Sequence, residues 1–346
     1  MNEKEVFLIK ISVIIPIYNG AKFLDDAFKG LEHQTIDPKS FEVIAIDDGS
    51  TDTSYDFLMK YAKNSPKFTF QFDRQKNSGV SHTRNVGASR ATGEFLAFLD
   101  QDAIPRPNWL ESALECFRDS RTSVVEGRIQ AIKIFEATPL THILENETGG
   151  RFMTANCIFR ASVFREVGGF DLNFPYFLED SDIAFSILRS GHKIHWAPEV
   201  VVDHPYVQKT MSQHVWQMTT LAERIPILLH KHQVDFKFCR THGIPWHTMT
   251  ACPLYFYGYF VALVGIVISG LTLNLVSPVL SYSLLFLFAC LYGVSFLVTL
   301  YARFRHRKVS LSEGSLFFLW YLIIPYKRLF HLIRGAYKYK VPLRLI

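Results

Sequence analysis

The sequence predicts an α/β body built on a mostly parallel sheet with helices on both faces, followed by apolar helices and a basic tail. Three observations predict it. Short apolar runs alternate with helix-period segments over about the first 205 residues. No Asp, Glu, Lys or Arg occurs between Arg240 and Arg303. From Ala302 to Ile346 ten basic residues face one acid, Glu313, so the tail carries +9 and the first 301 residues carry −4 of the total +5.

Within the body, Ile11 to Tyr18 reads as a buried strand and Lys22 to His33 as a helix. Phe41 to Ile46 is a second strand, followed by a helix over Ser54 to Lys63. Phe68 to Phe72 alternates as a third strand, and Ser81 to Arg90 is helical. Glu94 to Leu99 is an apolar fourth strand, and Ile183 to Arg189 reads as a helix with Asp182 as its cap. In such sheets ligands gather beyond the carboxyl ends of the strands. Here those ends read Tyr18-Asn19-Gly20, Asp47-Asp48-Gly49-Ser50 and Asp100-Gln101-Asp102. On an extended backbone Asp100 and Asp102 share one side, and two carboxylates there repel unless a cation lies between them. A hard divalent metal carrying a phosphate ligand suits that pair. GxGxxG after the first strand and GxxxxGK[ST] anywhere are both absent, which disfavours dinucleotide enzymes and P-loop NTPases.

The five cysteines, Cys116, Cys157, Cys239, Cys252 and Cys290, show no CxxC spacing and suit a reducing compartment, with neither a disulfide framework nor a structural zinc site. Val6 to Tyr18 is apolar but lacks a following small-residue cleavage site, so no signal peptide is expected. Two uncharged stretches, Leu254 to Val276 and Val279 to Tyr301, are each long enough for a hydrocarbon core of about 30 Å, with a turn at Ser277-Pro278. Arg303, Arg305, Arg307 and Lys308 follow the second stretch and keep that end, and hence the body, cytoplasmic. The expected organisation is a catalytic body over 1–208, a helical juxtamembrane linker over 209–250, two membrane helices over 251–302 and a basic interfacial tail over 303–346. The protein would be a multi-pass membrane protein whose tail meets an anionic membrane and not nucleic acid.

An ordered series of motifs carries a resemblance. It comprises Ser12-Val-Ile-Ile-Pro-Ile-Tyr-Asn19, Ile46-Asp-Asp-Gly-Ser-Thr-Asp52, Asn77-Ser-Gly-Val80, Thr83-Arg-Asn-Val-Gly87, Phe98-Leu-Asp-Gln-Asp102 and Glu179-Asp-Ser-Asp182, with Pro198 and His204 beyond. Over residues 8–205 the chain resembles family 2 glycosyltransferases of the GT-A nucleotide-sugar-binding fold. The resemblance implies an inverting enzyme that moves one sugar from a nucleotide-sugar donor, UDP-linked, onto a hydroxyl of a lipid-linked or membrane-proximal acceptor. By resemblance Pro16 and Tyr18 wall the base, Asp48 with Asp47 beside it contacts the uracil and ribose, and Asn77 and Gly79 let their loop approach the nucleotide. Arg84 would meet phosphate, Asp100 the sugar or ribose, and Asp102 with His204 a Mg²⁺ or Mn²⁺ ion. Ala103 stands where many relatives carry a third aspartate. Asp180 would be the general base supported by Glu179, and Asn156 and Arg160 would lie under the acceptor sugar. His214, Trp216 and Gln217 fall in the region where processive relatives show Gln-x-x-Arg-Trp; here the run is Gln213-His-Val-Trp216, which disfavours a processive polymer synthase. Two other readings are a nucleotidyltransferase on a similar fold, for which Asn19-Gly-Ala-Lys22 is a poor phosphate loop, and a non-catalytic membrane adaptor, which would have lost the charged residues this chain retains.

Overall fold

Strand burial orders the architecture. The computed structural model describes residues 9–138, 140–234, 236–242, 254–271, 278–304, 324 and 327–341. They fall into two compact units, Met1–Ile134 with Ile143–Tyr206, and Phe135–His142 with Val207–Ile346. In chain order the elements begin β1 (Ile11–Ile17), α1 (Ala21–Glu32), β2 (Phe41–Asp47), α2 (Ser54–Lys63), β3 (Thr69–Arg74), α3 (Val80–Arg90), β4 (Phe95–Leu99) and β5 (Ile104–Pro105). They continue with α4 (Trp109–Cys116), β6 (Thr122–Ile132), β7 (Thr141–His142), β8 (Asn156–Arg160), α5 (Ala161–Glu166), α6 (Glu179–Arg189), β9 (Lys193–Pro205) and β10 (Val207–Gln208). Every residue of β1, β2 and β4 is buried, as strands covered on both faces must be.

The first unit holds one sheet in the order β3-β2-β1-β4-β8-β6-β9-β5. The first four strands are parallel, as expected, and pair in the order β3-β2-β1-β4; the seven-residue β1–β2 register from Ile11↔Phe41 to Ile17↔Asp47 brings both strand ends to one edge. Beyond β4 the sheet becomes mixed: β8 runs antiparallel to both β4 and β6, β9 runs parallel to β6, and β5 antiparallel to β9. Alternation along the strands divides the core. Val13, Ile15 and Val43 meet Leu24 and Phe28 of α1 and Trp109 of α4 on one face. Ile14, Ile44, Leu96 and Phe98 meet Ala88 of α3, Phe164 of α5, and Ile183 and Ile187 of α6 on the other.

Two buried carboxylates close loops that hydrophobic patterning left open. Glu42 accepts from Ser12 Oγ at 2.7 Å, Thr92 N at 2.8 Å and Gln71 Nε2 at 3.0 Å, joining β1, β2, β3 and the turn before β4. Glu126 on β6 accepts from Asn146 Nδ2 at 2.8 Å and from the backbone N–H groups of Gly150, Arg151 and Phe152 at 2.9, 3.0 and 2.6 Å. A lone carboxylate thereby satisfies the orphan donors of a loop that lacks regular structure.

In the second unit β7 and β10 pair as a two-stranded ribbon. A capping box from Thr210 and Gln213 starts α7 (Met211–His232), followed by α8 (Phe236–Thr241). Two apolar helices come next, α9 (Leu254–Leu271) and α10 (Pro278–Phe304). Among the described residues a single helix, over Val279–Leu297, is long and apolar enough to cross a membrane. The expected pair of spans is therefore not matched. The helix expected to reach Val276 is described only to Leu271, 18 residues, or about 27 Å at 1.5 Å per residue. The expected turn at Ser277 and the cluster Arg305, Arg307 and Lys308 lie outside the described residues, as does most of Ser315–Ile324.

Residues 327–338 are helical, and three of their cations converge on Glu223 of α7: His331 Nδ1 at 3.3 Å, Arg334 Nε at 3.8 Å and Lys338 Nζ at 3.0 Å. Gly335 permits the contact, because a Cβ there would collide with the Glu223 carbonyl oxygen.

Glu126→Ala removes the acceptor of four loop donors, three of them backbone N–H groups. An expected loss of about 3 kcal/mol follows from leaving buried donors unpaired. Denaturant melts of parent and variant check it; equal midpoints would show that water replaces the carboxylate fully.

Candidate active site

The site assembles where four strands end. β4 stops at Leu99, and a turn closes with Ala103 N donating to Asp100 O at 3.0 Å. The extended geometry that would place Asp100 and Asp102 on one side is therefore absent, and the two carboxylates part. Asp100 Oδ1 accepts from Arg84 Nη2 at 2.7 Å. Asp102 Oδ1 lies 3.3 Å from His204 Nε2 at the end of β9.

Arg84 is buried on α3 and is not aimed at a phosphate surface, as expected from sequence, but clamped between carboxylates. Its second arm, Nη1, donates to Glu179 Oε1 at 3.0 Å, and its guanidinium lies 5.5 Å from the centre of the Phe170 ring. Burial opposes the charge on Arg84, but Asp100, Glu179 and Asp180 outweigh burial and hold it fully protonated.

The second carboxylate pair opens α6. The helix starts at Glu179, four residues before the sequence-based start, behind Leu178 in the left-handed region at φ 69°. Asp182 therefore sits inside the first turn and does not cap it; its N–H donates to Leu178 O at 2.8 Å. Glu179 is buried and Asp180 half-buried. Burial and the charge of Asp180 push Glu179 up to about 8, against the pull of Arg84. Burial also raises Asp180, opposed by Arg84 and by hydrogen bonds that include one from the Thr154 N–H. Burial thus leaves both carboxyls raised above the usual carboxylate range. Glu179 Oε2 is buried without a partner.

His204 tests whether a metal fits. Its Nδ1 faces the Pro205 carbonyl oxygen at 3.0 Å, and a carbonyl can only accept, so Nδ1 carries a proton. Nε2 then turns a lone pair or a second proton toward Asp102. Burial lowers the His204 pKa, but the hydrogen bond and charge of Asp102 outweigh it and raise the imidazole above its ordinary value. A proton or a divalent cation satisfies this facing imidazole and carboxylate equally well. Among the described residues no group of three or more His, Cys, Asp or Glu side chains is placed to hold a metal. The fit is therefore to an ion that takes its remaining oxygens from a ligand and water.

The nucleotide-side residues divide. Asp48 Oδ1 accepts from Ser78 N and Gln75 Nε2, both at 2.8 Å, and Oδ2 from Gly79 N at 2.9 Å. Asp48 thus shapes the loop before α3. Gly79, at φ 91°, admits no Cβ because Pro175 O would lie 2.7 Å away. Asp47 is fully buried; Oδ2 meets Arg74 Nε at 3.1 Å and Ser50 N at 3.2 Å, while Oδ1 has no partner. Pro16 is buried inside β1 and presents no wall, whereas Tyr18 is 48% exposed at the strand end. Asn77 is exposed and accepts from Tyr176 Oη at 3.4 Å.

The two residues expected beneath an acceptor sit elsewhere. Arg160 pairs with Phe95, at the opposite end of β4 from Asp100, and donates to Thr122 O and Phe117 O. Asn156 lies at the correct edge but is buried: Oδ1 accepts from Trp109 Nε1 at 2.8 Å, and Nδ2 donates to Arg128 O and Val200 O. The antiparallel reversal of β8 causes both outcomes, and sequence periodicity carried no sign of it. Sequence reasoning also missed Gln101, whose amide bonds Tyr18 N at 2.9 Å and Tyr18 O at 3.2 Å and occupies the space a side chain at Gly20 would need.

Residues 12–173 match the model of Glycosyl transferase family 2, and this body is a family 2 glycosyltransferase domain of GT-A fold. The chain is 27% identical over 213 residues to the pre-mycofactocin glycosyltransferase of Mycobacterium tuberculosis, covering 57% of this chain and 43% of that protein. It thus spans less than half of that relative's length. Among solved structures it is similar in fold to the mannosyltransferase PcManGT of Pyrobaculum calidifontis in complex with GDP-Man and Mn²⁺, with TM-score 0.54, 18% identity, and 95% and 86% of the two chains covered. It is likewise similar to S. aureus TarS 1–349 in complex with UDP-GlcNAc, with TM-score 0.52, 15% identity, and 97% and 93% covered.

Arg84→Met leaves Asp100 and Glu179 buried or half-buried without their shared cation. Stability is expected to fall by about 3–5 kcal/mol, the usual result of stripping one partner from a buried ion pair. Thermal melts test it. A loss below about 1 kcal/mol would mean that the carboxyls simply take up protons.

Proposed function

We propose that the protein transfers one sugar, with inversion, from a nucleotide-sugar donor of the UDP type to a hydroxyl on a lipid-linked or membrane-proximal acceptor. The observation that carries this reading is the separation of two carboxylate sites at one sheet edge, one paired with His204 and one held by Arg84. The first suits a donor diphosphate. Asp102 and His204 would hold Mg²⁺ or Mn²⁺, which supplies neutralisation of the departing diphosphate. The second suits deprotonation. The acceptor oxygen forms a bond to the anomeric carbon, the bond from that carbon to the diphosphate oxygen breaks, and UDP leaves with the electron pair. Asp180 takes the hydroxyl proton, and Glu179 and Arg84 set its charge and position. A single displacement inverts the anomeric centre.

Asp47 Oδ1, which has no protein partner, is the carboxylate oxygen left to meet the base or ribose, while Asp48 holds the surrounding loop. Membrane attachment rests on the apolar helix Val279–Leu297, whose Val279, Phe286 and Leu297 are exposed. Phe330, Ile333 and Tyr337, spaced along one helix, are also exposed and would meet the headgroup layer of an anionic leaflet.

Asp180→Asn keeps shape but cannot accept the proton. Transfer should fall by about 10²–10⁴, with UDP affinity unchanged. Turnover of acceptor and calorimetry of UDP on the same variant check this; transfer within threefold of the parent would remove Asp180 from the reaction. Metal binding should follow pH through His204. A proton raised in affinity by Asp102 competes for Nε2, so Mn²⁺-dependent UDP binding should weaken about tenfold per unit as pH falls below the His204 pKa. His204→Gln should flatten that dependence, and a slope unchanged in the variant would exclude His204 from the ion.

A further inference from the structure

We propose that Arg128 holds an anionic group of the acceptor, a phosphate or carboxylate, beside the base; the inference rests on the transfer reading above. β6 runs in the direction of β4 and continues past the start of β8. Glu126 pairs with Cys157, so Arg128 lies two residues further toward the edge where the reactive carboxylates gather. Its face follows from the core. Val125 and Ile129 belong to the cluster on the α1 and α4 side, whereas Val124 packs with Ile183 and Ile187 of α6. Alternation then sets Arg128 on the α6 face, the face of Glu179 and Asp180. Ala131 pairs with His204, so the imidazole and its partner Asp102 belong to the opposite face. Arg128 thus stands on the side of the base and away from the proposed metal.

Arg128 is also unspent. Four arginines in the body are not exposed: Arg84, Arg106, Arg128 and Arg160. Arg84 binds Asp100 and Glu179, Arg106 binds Asp203, and Arg160 binds Glu94. Arg128 makes no ion pair or side-chain hydrogen bond to a described residue, and its Nε is buried without an acceptor. Its backbone is nonetheless held, because its carbonyl accepts from Asn156 Nδ2 at 2.8 Å and Asn156 is itself bonded to Trp109. A half-buried guanidinium with an unfilled donor is completed by a carboxylate or phosphate, two of whose oxygens it can meet through parallel hydrogen bonds. The need is electrostatic as well. Asp100, Glu179 and Asp180 would repel a charged acceptor, and Arg84 has both arms committed to them.

The test uses the full chain loaded with UDP and Mn²⁺, with sn-glycerol 1-phosphate and glycerol as probes. Calorimetry should show that Arg128→Gln weakens glycerol phosphate about tenfold or more, that Arg128→Lys, which keeps the charge but not the paired donors, weakens it less, and that glycerol is indifferent to both changes. UDP affinity should stay within about twofold, which also shows that the variants fold. Equal glycerol phosphate affinity in parent and Arg128→Gln overturns the inference. So does a matching fall in UDP affinity, which would assign Arg128 to the donor diphosphate. If the parent binds no UDP, the transfer reading fails and takes this inference with it; intact UDP binding confines the failure to Arg128.

Discussion

The arrangement depends on one buried cation. Arg84 reaches from α3 to the end of β4 and to the start of α6, and without it Asp100, Glu179 and Asp180 could not share one edge. Like charges in a poorly solvated site repel strongly, and the relief comes from a guanidinium whose two arms separate the carboxylates. Burial sharpens the effect because little water remains to screen it. The same contact ties the parallel half of the sheet to the start of α6.

Around this clamp the strand-end loops are held by polar side chains rather than by apolar packing. Asn19, in the left-handed region at φ 51°, accepts from Thr51 N at 2.8 Å and so joins the exits of β1 and β2. Gln101 joins the exits of β1 and β4, Asp48 orders the turn into α3, and Glu126 gathers the segment before β8. Each is a local solution to the same constraint: irregular backbone near a sheet must still find partners for its N–H groups. The result is a rim held in place before any substrate arrives, which lowers the ordering cost of binding.

The second unit follows different physics. Its apolar helix exposes large side chains that a water-facing surface rarely collects in one place, while Glu223 draws cations of the helix over 327–338 to itself. Burial pushes the Glu223 pKa up, but Lys338 and His331 outweigh it and hold the carboxylate below its ordinary range.

The sequence by itself determined the alternating body, its four parallel strands, and the strand ends that carry Asp47, Asp100 and Asp102, because burial on two faces leaves continuous apolar runs that end abruptly. It also marked the long uncharged stretch, since so extended an absence of charge is legible in composition alone. Only the tertiary structure decided the rest. β8 runs against its neighbours, and that reversal carries Arg160 to the far end of the sheet and Asn156 into the core. The turn after Leu99 separates Asp100 from Asp102, which alternation had placed together. α6 begins at Glu179 rather than at Ile183, because a charge clamp and a left-handed Leu178 start it where propensity and periodicity give no signal. For β8 and α6 the deciding contacts join residues far apart in the chain, which pattern over neighbouring residues cannot report, while the turn after Leu99 is closed locally by Ala103 N and Asp100 O.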